Sequence, residues 1–340
     1  MNSRLIQAIV RSGKFKHPFT KRKLVETHIS YVILGTSFAY KFKKEIKYSF
    51  LDFSTLSKRK YFCEREVSLN NRLTEGVYHG VVPVRQDHGE ISIDGSEGKI
   101  IDYAIRMKRL KDAKQMHLML EANQVTLKHI KALAVMIRNF HARAEVIHTH
   151  FREDHFSSRF NDILSVSDFI KTELGAGQAK IIEKALRFSD AFLKDHHDLF
   201  EQRITDGYIR DCHGDLHSRN IFLYAKPIIF DCLEFNDEFR QIDILDELAF
   251  FCMDLEAEGY FDLSKAFTDY YFSKEKNTFG KREHLLFTYY KCYRANVRAK
   301  VNALRAMKPD SPQRKKNLED VRKYLALMDG YLAECIEHRA

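Results

Sequence analysis

No apolar run in this 340-residue chain approaches the ~20 residues that a membrane-spanning helix needs. The nearest, Leu248-Ala249-Phe250-Phe251-Cys252-Met253, is bracketed by Asp246, Glu247 and Asp254. The N-terminus offers no apolar core of the kind a secretory leader carries, because Arg4, Arg11, Lys14 and Lys16 interrupt it. The cysteines, at 63, 212, 232, 252, 292 and 335, form no Cys-x-x-Cys pair. That spacing speaks against zinc and against a disulfide framework, and fits buried reduced thiols. A cytoplasmic protein without membrane association is expected. The P-loop pattern G-x-x-x-x-G-K-[ST] is missing too. Gly175-Ala176-Gly177-Gln178-Ala179-Lys180 comes nearest to it, fails the pattern, and reads as a loop between helices.

What is present describes an ordinary globular chain, 44% hydrophobic and 12% aromatic. Its length suffices for two modest domains with cores of their own. The formal charge is +9, which suits anionic partners in general. The basic residues are spread along the chain in short runs such as Lys21-Arg22-Lys23, so most belong to solvated faces. Nucleic acid is not expected as a partner.

The most informative stretch is Cys212-His213-Gly214-Asp215-Leu216-His217-Ser218-Arg219-Asn220. Short apolar runs flank it, and Ile228-Ile229-Phe230 then leads into Asp231. The order is strand, polar loop, hairpin, strand-end carboxylate. An Asp that takes a proton, an Asn five residues later and a second Asp beyond a hairpin are the parts of a phosphoryl-transfer site. Asp215 is the candidate base. Asn220 and Asp231 are the candidate ligands of Mg²⁺.

A second pattern lies upstream. After Thr27-His28-Ile29-Ser30 comes Tyr31-Val32-Ile33-Leu34, a turn at Gly35-Thr36-Ser37, and Phe38-Ala39-Tyr40-Lys41-Phe42-Lys43. Period-two alternation puts Phe38, Tyr40 and Phe42 on one face and Ala39, Lys41 and Lys43 on the other. A strand lysine behind a hairpin can neutralise nucleotide phosphates, and periodicity leaves Lys41 and Lys43 both open. No G-x-G-x-x-G precedes them, so backbone amides with the Thr27 and Ser30 hydroxyls are the candidate phosphate cover. Residues 63–73 read as a helix with Glu66, Leu69 and Leu73 on its inward face. That face makes Glu66, rather than Glu64, the partner for a strand lysine.

The remaining patterns are structural. Leu5, Ile6, Ile9 and Val10 before Gly13 mark a leading helix, and residues 81–110 read as strands and hairpins. Residues 112–205 are helical, with His141 on a buried stripe as a packed core histidine. Asp243 is placed to cap a helix beginning at Ile244. Near the C-terminus, Leu286, Tyr290, Tyr293, Val297, Val301 and Leu304 form an apolar stripe. Beside it run Lys291, Arg294, Arg298 and Arg305, either a solvated flank or the lining of an anionic substrate site. A break is expected at 308–312 and a final helix over about 315–338.

His213-Gly214-Asp215-Leu216-His217, Asn220-Ile221 and Asp231-Cys232-Leu233 resemble the aminoglycoside phosphotransferase branch of the kinase-like superfamily. The likeness extends to Glu26-Thr27-His28-Ile29-Ser30, Phe50-Leu51-Asp52-Phe53-Ser54-Thr55-Leu56 and Tyr293-Arg294-Ala295-Asn296-Val297-Arg298, as in the subgroup often fused to a C-terminal ATP-binding domain. That domain is expected to be absent here. The resemblance implies a bilobal, protein-kinase-like α+β fold with a small strand-rich lobe over 1–107 and a large helical lobe over 108–340. It places the nucleotide between the lobes and a hinge near 107–109, and through Ala39-Tyr40-Lys41 it selects Lys41. It also implies an Asp at 246 that braces the catalytic loop. The implied activity is ATP- and Mg²⁺-dependent phosphorylation of a hydroxyl on a small molecule. The alternatives are a protein-kinase-like enzyme, disfavoured by the short segment after Asp231, and a non-catalytic nucleotide-binding module.

Overall fold

The computed structural model of the chain describes residues 1–48, 51–273, 279–308 and 313–337; Phe50 and residues 309–312 of the expected break lie outside them. The chain gathers into two units. One is Met1–Gln124 with Arg219–Arg240, and the other is Val125–Ser218 with Gln241–Ala340. The first is built on a sheet and the second on helices, which is the α+β, kinase-like arrangement expected from the sequence.

Seven described strands form the sheet of the first unit, in the order Lys14–Phe15, Glu90–Ile93, Tyr78–Asp87, Lys99–Lys108, Phe38–Lys43, Ser30–Leu34 and Lys23–Glu26. Only the Lys14–Phe15 pairing is parallel. Both faces are covered. Tyr40, Phe42, Ile33 and Val84 pack with Ile6 and Ile9 of the leading Ser3–Ser12 helix. On the other face Ala39, Ile105 and Met107 meet Cys63 of the Leu56–Asn70 helix and Phe222. Phe222 belongs to the small Ile221–Phe222/Ile228–Ile229 hairpin, so its burial helps join Arg219–Arg240 to the sheet.

The Leu56–Asn70 helix starts earlier than the apolar periodicity suggests and ends before Leu73. Thr55 sets its start by accepting a hydrogen bond from Lys58 N, since an N-cap hydroxyl satisfies a donor the helix leaves unpaired. The stretch at 175–180 is not a loop. Gly175, at φ +96°, is the whole link between the Ser167–Leu174 and Ala176–Asp195 helices. A left-handed residue of that kind is best supplied by glycine.

In the second unit the Ile244–Ala257 helix is buried from Leu245 to Ala257. A helix apolar or buried all round lies in a core, and its carboxylates need partners there. Asp243 caps it as expected, accepting from Leu245 N at 2.8 Å. The Lys281–Ala306 helix packs between it and the Arg314–Glu337 helix. Covered on two sides, it buries Ala295, Ala299 and Ala303 together with Lys291, Arg294 and Asn296, while Leu304 of the expected stripe is exposed. No helix among the described residues is long and apolar enough to cross a membrane. All six cysteines are buried and unbridged.

Candidate active site

In the first unit, one carboxylate gathers two lysines. Lys41 and Lys43 share a strand face, which points at the helix carrying Glu66. Lys41 Nζ lies 2.8 Å from Glu66 Oε1, and Lys43 Nζ lies 2.8 Å from Glu66 Oε2. Lys41 Nζ also reaches Asp231 Oδ1 at 2.5 Å, and Lys43 pairs with Glu234. Burial opposes the charge on Lys41, but Asp231, Glu66 and Glu234 outweigh it and hold its pKa well above the ordinary value. Burial likewise pushes Glu66 up, and the two lysines overcome it to hold its pKa below the ordinary value. Glu234 goes the other way: burial dominates and raises its pKa despite Lys43. Both lysines therefore stay charged at neutral pH, with Lys41 the one that keeps slight exposure, 10% against 0%.

Two side-chain amide contacts tie this cluster to the segment after the hairpin. Asn70 Nδ2 donates to Glu66 O at 2.8 Å, and Asn70 Oδ1 accepts from Cys232 N at 2.9 Å. Asp231 sits at φ +64°, a left-handed conformation that Asp tolerates better than most residues, and its N–H donates to Tyr78 Oη at 3.2 Å. Its side chain remains 40% exposed. Phe230 N donates to Asn220 O at 3.0 Å, so the hairpin brings Asn220 alongside the residue that precedes Asp231. A carboxylate and an amide carbonyl are hard oxygen donors, the kind Mg²⁺ prefers when it is held by few protein ligands and by phosphate oxygens. The donor set of Asn220 and Asp231 fits that ion.

The turn at 27–30 uses its own hydroxyl. Thr27 Oγ1 donates to Ser30 O and accepts from Ser30 N, each at 3.0 Å. Ser30 is fully buried, and its Oγ has no hydrogen-bond partner. At the hinge expected near 107–109, Lys108 N and Arg109 N donate to Val77 O and Ser37 O at 2.8 and 3.0 Å.

Asp215 lies in the second unit, on a loop pinned from below by the buried Ile244–Ala257 helix. His213 N and Gly214 N both donate to Glu247 Oε1 at 2.7 Å, and Ser218 N donates to Asp254 Oδ2 at 2.8 Å. Glu247 and Asp254 are seven residues apart, two helical turns on one face, and hold the loop at both ends. Gly214 takes φ +83°, and the next residue, Asp215, donates its N–H to His213 Nδ1 at 3.2 Å. The Asp215 side chain is 39% exposed, with Oδ2 at 3.4 Å from His217 Nε2. Burial pushes its pKa up, but His217, His213 and Arg298 together hold it below the ordinary carboxylate range.

The brace expected at Asp246 belongs instead to its neighbour Glu247. Asp246 points to the Lys281–Ala306 helix, where Arg294 forks it at 2.6 and 2.9 Å. Adjacent residues on a helix face directions about 100° apart, and in a helix buried on every side hydropathy does not say which carboxylate faces the loop. His141, expected as a packed core histidine, has Nδ1 at 2.8 Å from Tyr271 Oη and Nε2 at 2.7 Å from Glu247 Oε2. Ligand atoms of His141, Cys212 and Glu247 lie within 4.8 Å of one another, a metal-like grouping. Both ring nitrogens and the inner carboxylate oxygen are already engaged in hydrogen bonds, so these groups brace the loop. Sequence reasoning missed Glu247 and Asp254 as loop anchors; their seven-residue spacing was the available signal.

No protein-family model matches the chain. Uncharacterized proteins of Mycobacterium bovis and Mycobacterium tuberculosis are 31% identical to it over 296 residues, which is 85% of this chain and 57% of theirs. The chain thus spans little more than half the length of these curated relatives. Among solved structures, a thermostable mutant of an aminoglycoside phosphotransferase aligns with a TM-score of 0.53 at 10% identity, covering 93% of this chain and 95% of the other. A spectinomycin phosphotransferase in complex with ADP and spectinomycin aligns at 0.50 and 10% identity, covering 97% and 98%. An ethanolamine kinase of Plasmodium vivax aligns at 0.50 and 10% identity, covering 89% and 81%. At such identity the likeness shows the fold, and that fold is the kinase-like α+β fold of small-molecule phosphotransferases.

Proposed function

We propose that the chain is an ATP-dependent phosphotransferase that phosphorylates a hydroxyl of a small molecule in the cytoplasm. The observation that carries the reading is the triad in the first unit, with Lys41 Nζ at 2.8 Å from Glu66 and 2.5 Å from Asp231. A buried lysine held charged by two carboxylates, one of them 40% exposed, has little purpose in a core and suits the grip on nucleotide phosphates. In this reading Glu66 orients Lys41, and Asn220 and Asp231 hold Mg²⁺. The ion, when bound, compensates the charge of the phosphate oxygens. In the 27–30 turn the Thr27 hydroxyl and the Thr27 and Ser30 amides are engaged within the turn and Ser30 is buried, so neither hydroxyl is offered to phosphate. Asp215, ionised and fixed by its loop, accepts the proton of the acceptor hydroxyl. The segment between Asp231 and the Asp243 cap is short and structured by Arg240, which bonds Leu233 O and Asp237. It leaves no room for a long regulatory loop, which favours a small acceptor over a protein.

Thermal unfolding with Mg-ATP tests the nucleotide part. A ligand specific to the folded state at 100 times its Kd stabilises by about 2.7 kcal/mol. Absence of any shift with every Mg-nucleotide at millimolar concentration overturns the reading. Incubation of a metabolite extract with the protein and Mg-ATP, followed by mass spectrometry of new phosphorylated species, then identifies the acceptor.

A further inference from the structure

Lys291, Arg294 and Arg298 recur along the Lys281–Ala306 helix. The first two are neutralised by buried carboxylates. Lys291 Nζ lies 3.3 Å from Glu256 Oε2, and Arg294 is forked by Asp246. Arg298 is different. Its Nε is buried without a hydrogen-bond partner, its guanidinium bonds the Tyr324 side chain, and among the described residues it makes no ion pair. Its guanidinium carbon lies 5.5 Å from the centroid of the Tyr324 ring, on the Arg314–Glu337 helix, which orients the group. Asp254, the carboxylate whose charge is felt most by Arg298, has committed Oδ2 to the backbone of Ser218.

Two facts give this cation a direction. Asp254 ties Ser218, three residues after Asp215, so Arg298 is associated with the downstream end of the loop that carries Asp215. Arg298 is also among the charges that lower the Asp215 pKa, with His217 and His213. Around Asp215, then, the second unit supplies histidines and a guanidinium. The guanidinium is the fixed cation among these groups; it attracts an oxyanion, and its edge meets carboxylate or phosphate through paired N–H donors.

We propose that Arg298 anchors a negatively charged acceptor: a hydroxylated small molecule whose carboxylate or phosphate lies on the guanidinium while its hydroxyl faces Asp215. The role of Asp215 rests on the phosphotransferase reading. The anion site does not.

The test is calorimetric titration of inorganic phosphate, glycerol 3-phosphate and glycerate, with choline and ethanolamine as cationic controls. The proteins are wild type, Arg298→Gln and Lys41→Met, each checked by circular dichroism. Wild type and Lys41→Met are expected to bind the anions, Arg298→Gln to bind them at least tenfold more weakly, and the cations not to bind. Equal anion binding by wild type and Arg298→Gln, or no anion binding by wild type, overturns the proposal. If Arg298→Gln does not fold, Arg298→Lys replaces it. Intermediate affinity is then expected, because the charge stays and the fork goes, and unchanged affinity counts against the anchor. The same compounds serve as acceptors with Mg-ATP while ADP is followed. Turnover of a cationic acceptor with a KM indifferent to Arg298→Gln defeats the anion anchor and leaves the phosphotransferase reading standing. Absence of Mg-nucleotide binding defeats that reading alone, and the titration still decides the anion site.

Discussion

Lys43 Nζ lies 2.8 Å from Glu66 Oε2, on the other oxygen of the carboxylate that holds Lys41. The two lysines are distinguished by their second partners. Lys41 reaches the half-exposed Asp231, whereas Lys43 is enclosed and reaches the buried Glu234. Substitution should separate a functional from a structural cation. Lys43→Met leaves Glu66 short of one partner and Glu234 without its lysine, and breaking a buried pair costs about 3–5 kcal/mol. Lys41→Met should cost less stability and abolish phosphoryl transfer. Denaturant unfolding of both variants, with single-turnover transfer under conditions where each is folded, measures the two losses. A Lys43→Met variant as stable as wild type contradicts this division.

Glu66 gives a prediction for acid. Its folded pKa lies below the ordinary 4.5 because Lys41 and Lys43 outweigh its burial. A depressed carboxylate contributes stability that is complete above its unfolded pKa and is lost as pH falls through its folded value. Glu66→Gln should therefore be much less stable than wild type at pH 7, and the gap should narrow as pH drops below about 4.5. Unfolding midpoints of the two proteins across that window check it. A gap that persists unchanged into acid means that Glu66 stabilises through shape rather than charge.

The sequence makes some of this legible and hides the rest for physical reasons. Period-two alternation on the Phe38–Lys43 strand and the inward face of the Leu56–Asn70 helix were enough to point lysines at Glu66. They could not divide Lys41 from Lys43, since residues two apart on a strand share a face and Glu66 has two oxygens. The spacing of Asp215, Asn220 and Asp231 stood out because few residue types serve a phosphoryl-transfer site. The brace that the resemblance implied at Asp246 lies at Glu247, and the sequence could not show this because a helix buried on all sides carries no polar stripe to orient it. The fate of Arg294 was hidden in the same way: its partner Asp246 is distant in sequence, and amphipathic periodicity says nothing about a charge that goes inward with its counter-ion.

Glu247 should behave as a positioning residue. Two backbone N–H groups of the loop converge on its Oε1, and hydrogen bonds to a charged group are worth about 1.5–3 kcal/mol each. Glu247→Gln keeps the shape and one acceptor oxygen but gives up the charge. Faster amide exchange at His213 and Gly214 is expected, with a fall in kcat and little change in the KM for Mg-ATP. Asp246→Asn should instead lower global stability through Arg294 and leave the exchange of those two amides near its wild-type value. Identical exchange patterns in the two variants would remove the distinction between brace and core pair.

In the proposed reading, the base and the metal ligand differ in what their loss should cost. Asp215 is on the helical unit, partly exposed, and held ionised by His217, His213 and Arg298 against its burial. Its pKa below the ordinary 3.8 means that it needs no further deprotonation at any pH near neutrality, so kcat/KM should show no acid limb from this group above about pH 4. Asp231 faces Lys41 and, in the proposed reading, the metal. Asp215→Ala should therefore keep Mg-ATP affinity and lose about 10²–10⁴ in transfer rate, the usual worth of a general base. Asp231→Ala removes the metal ligand and also releases Lys41 from one of its two carboxylates, so nucleotide affinity and turnover should both fail. Side-by-side calorimetry with Mg-ATP and single-turnover transfer, on variants shown to be folded by circular dichroism, separates the two roles. A folded Asp215→Ala variant with wild-type transfer would take the base out of the 212–220 loop, and an acid limb centred well above pH 5 would assign the titrating group to another residue.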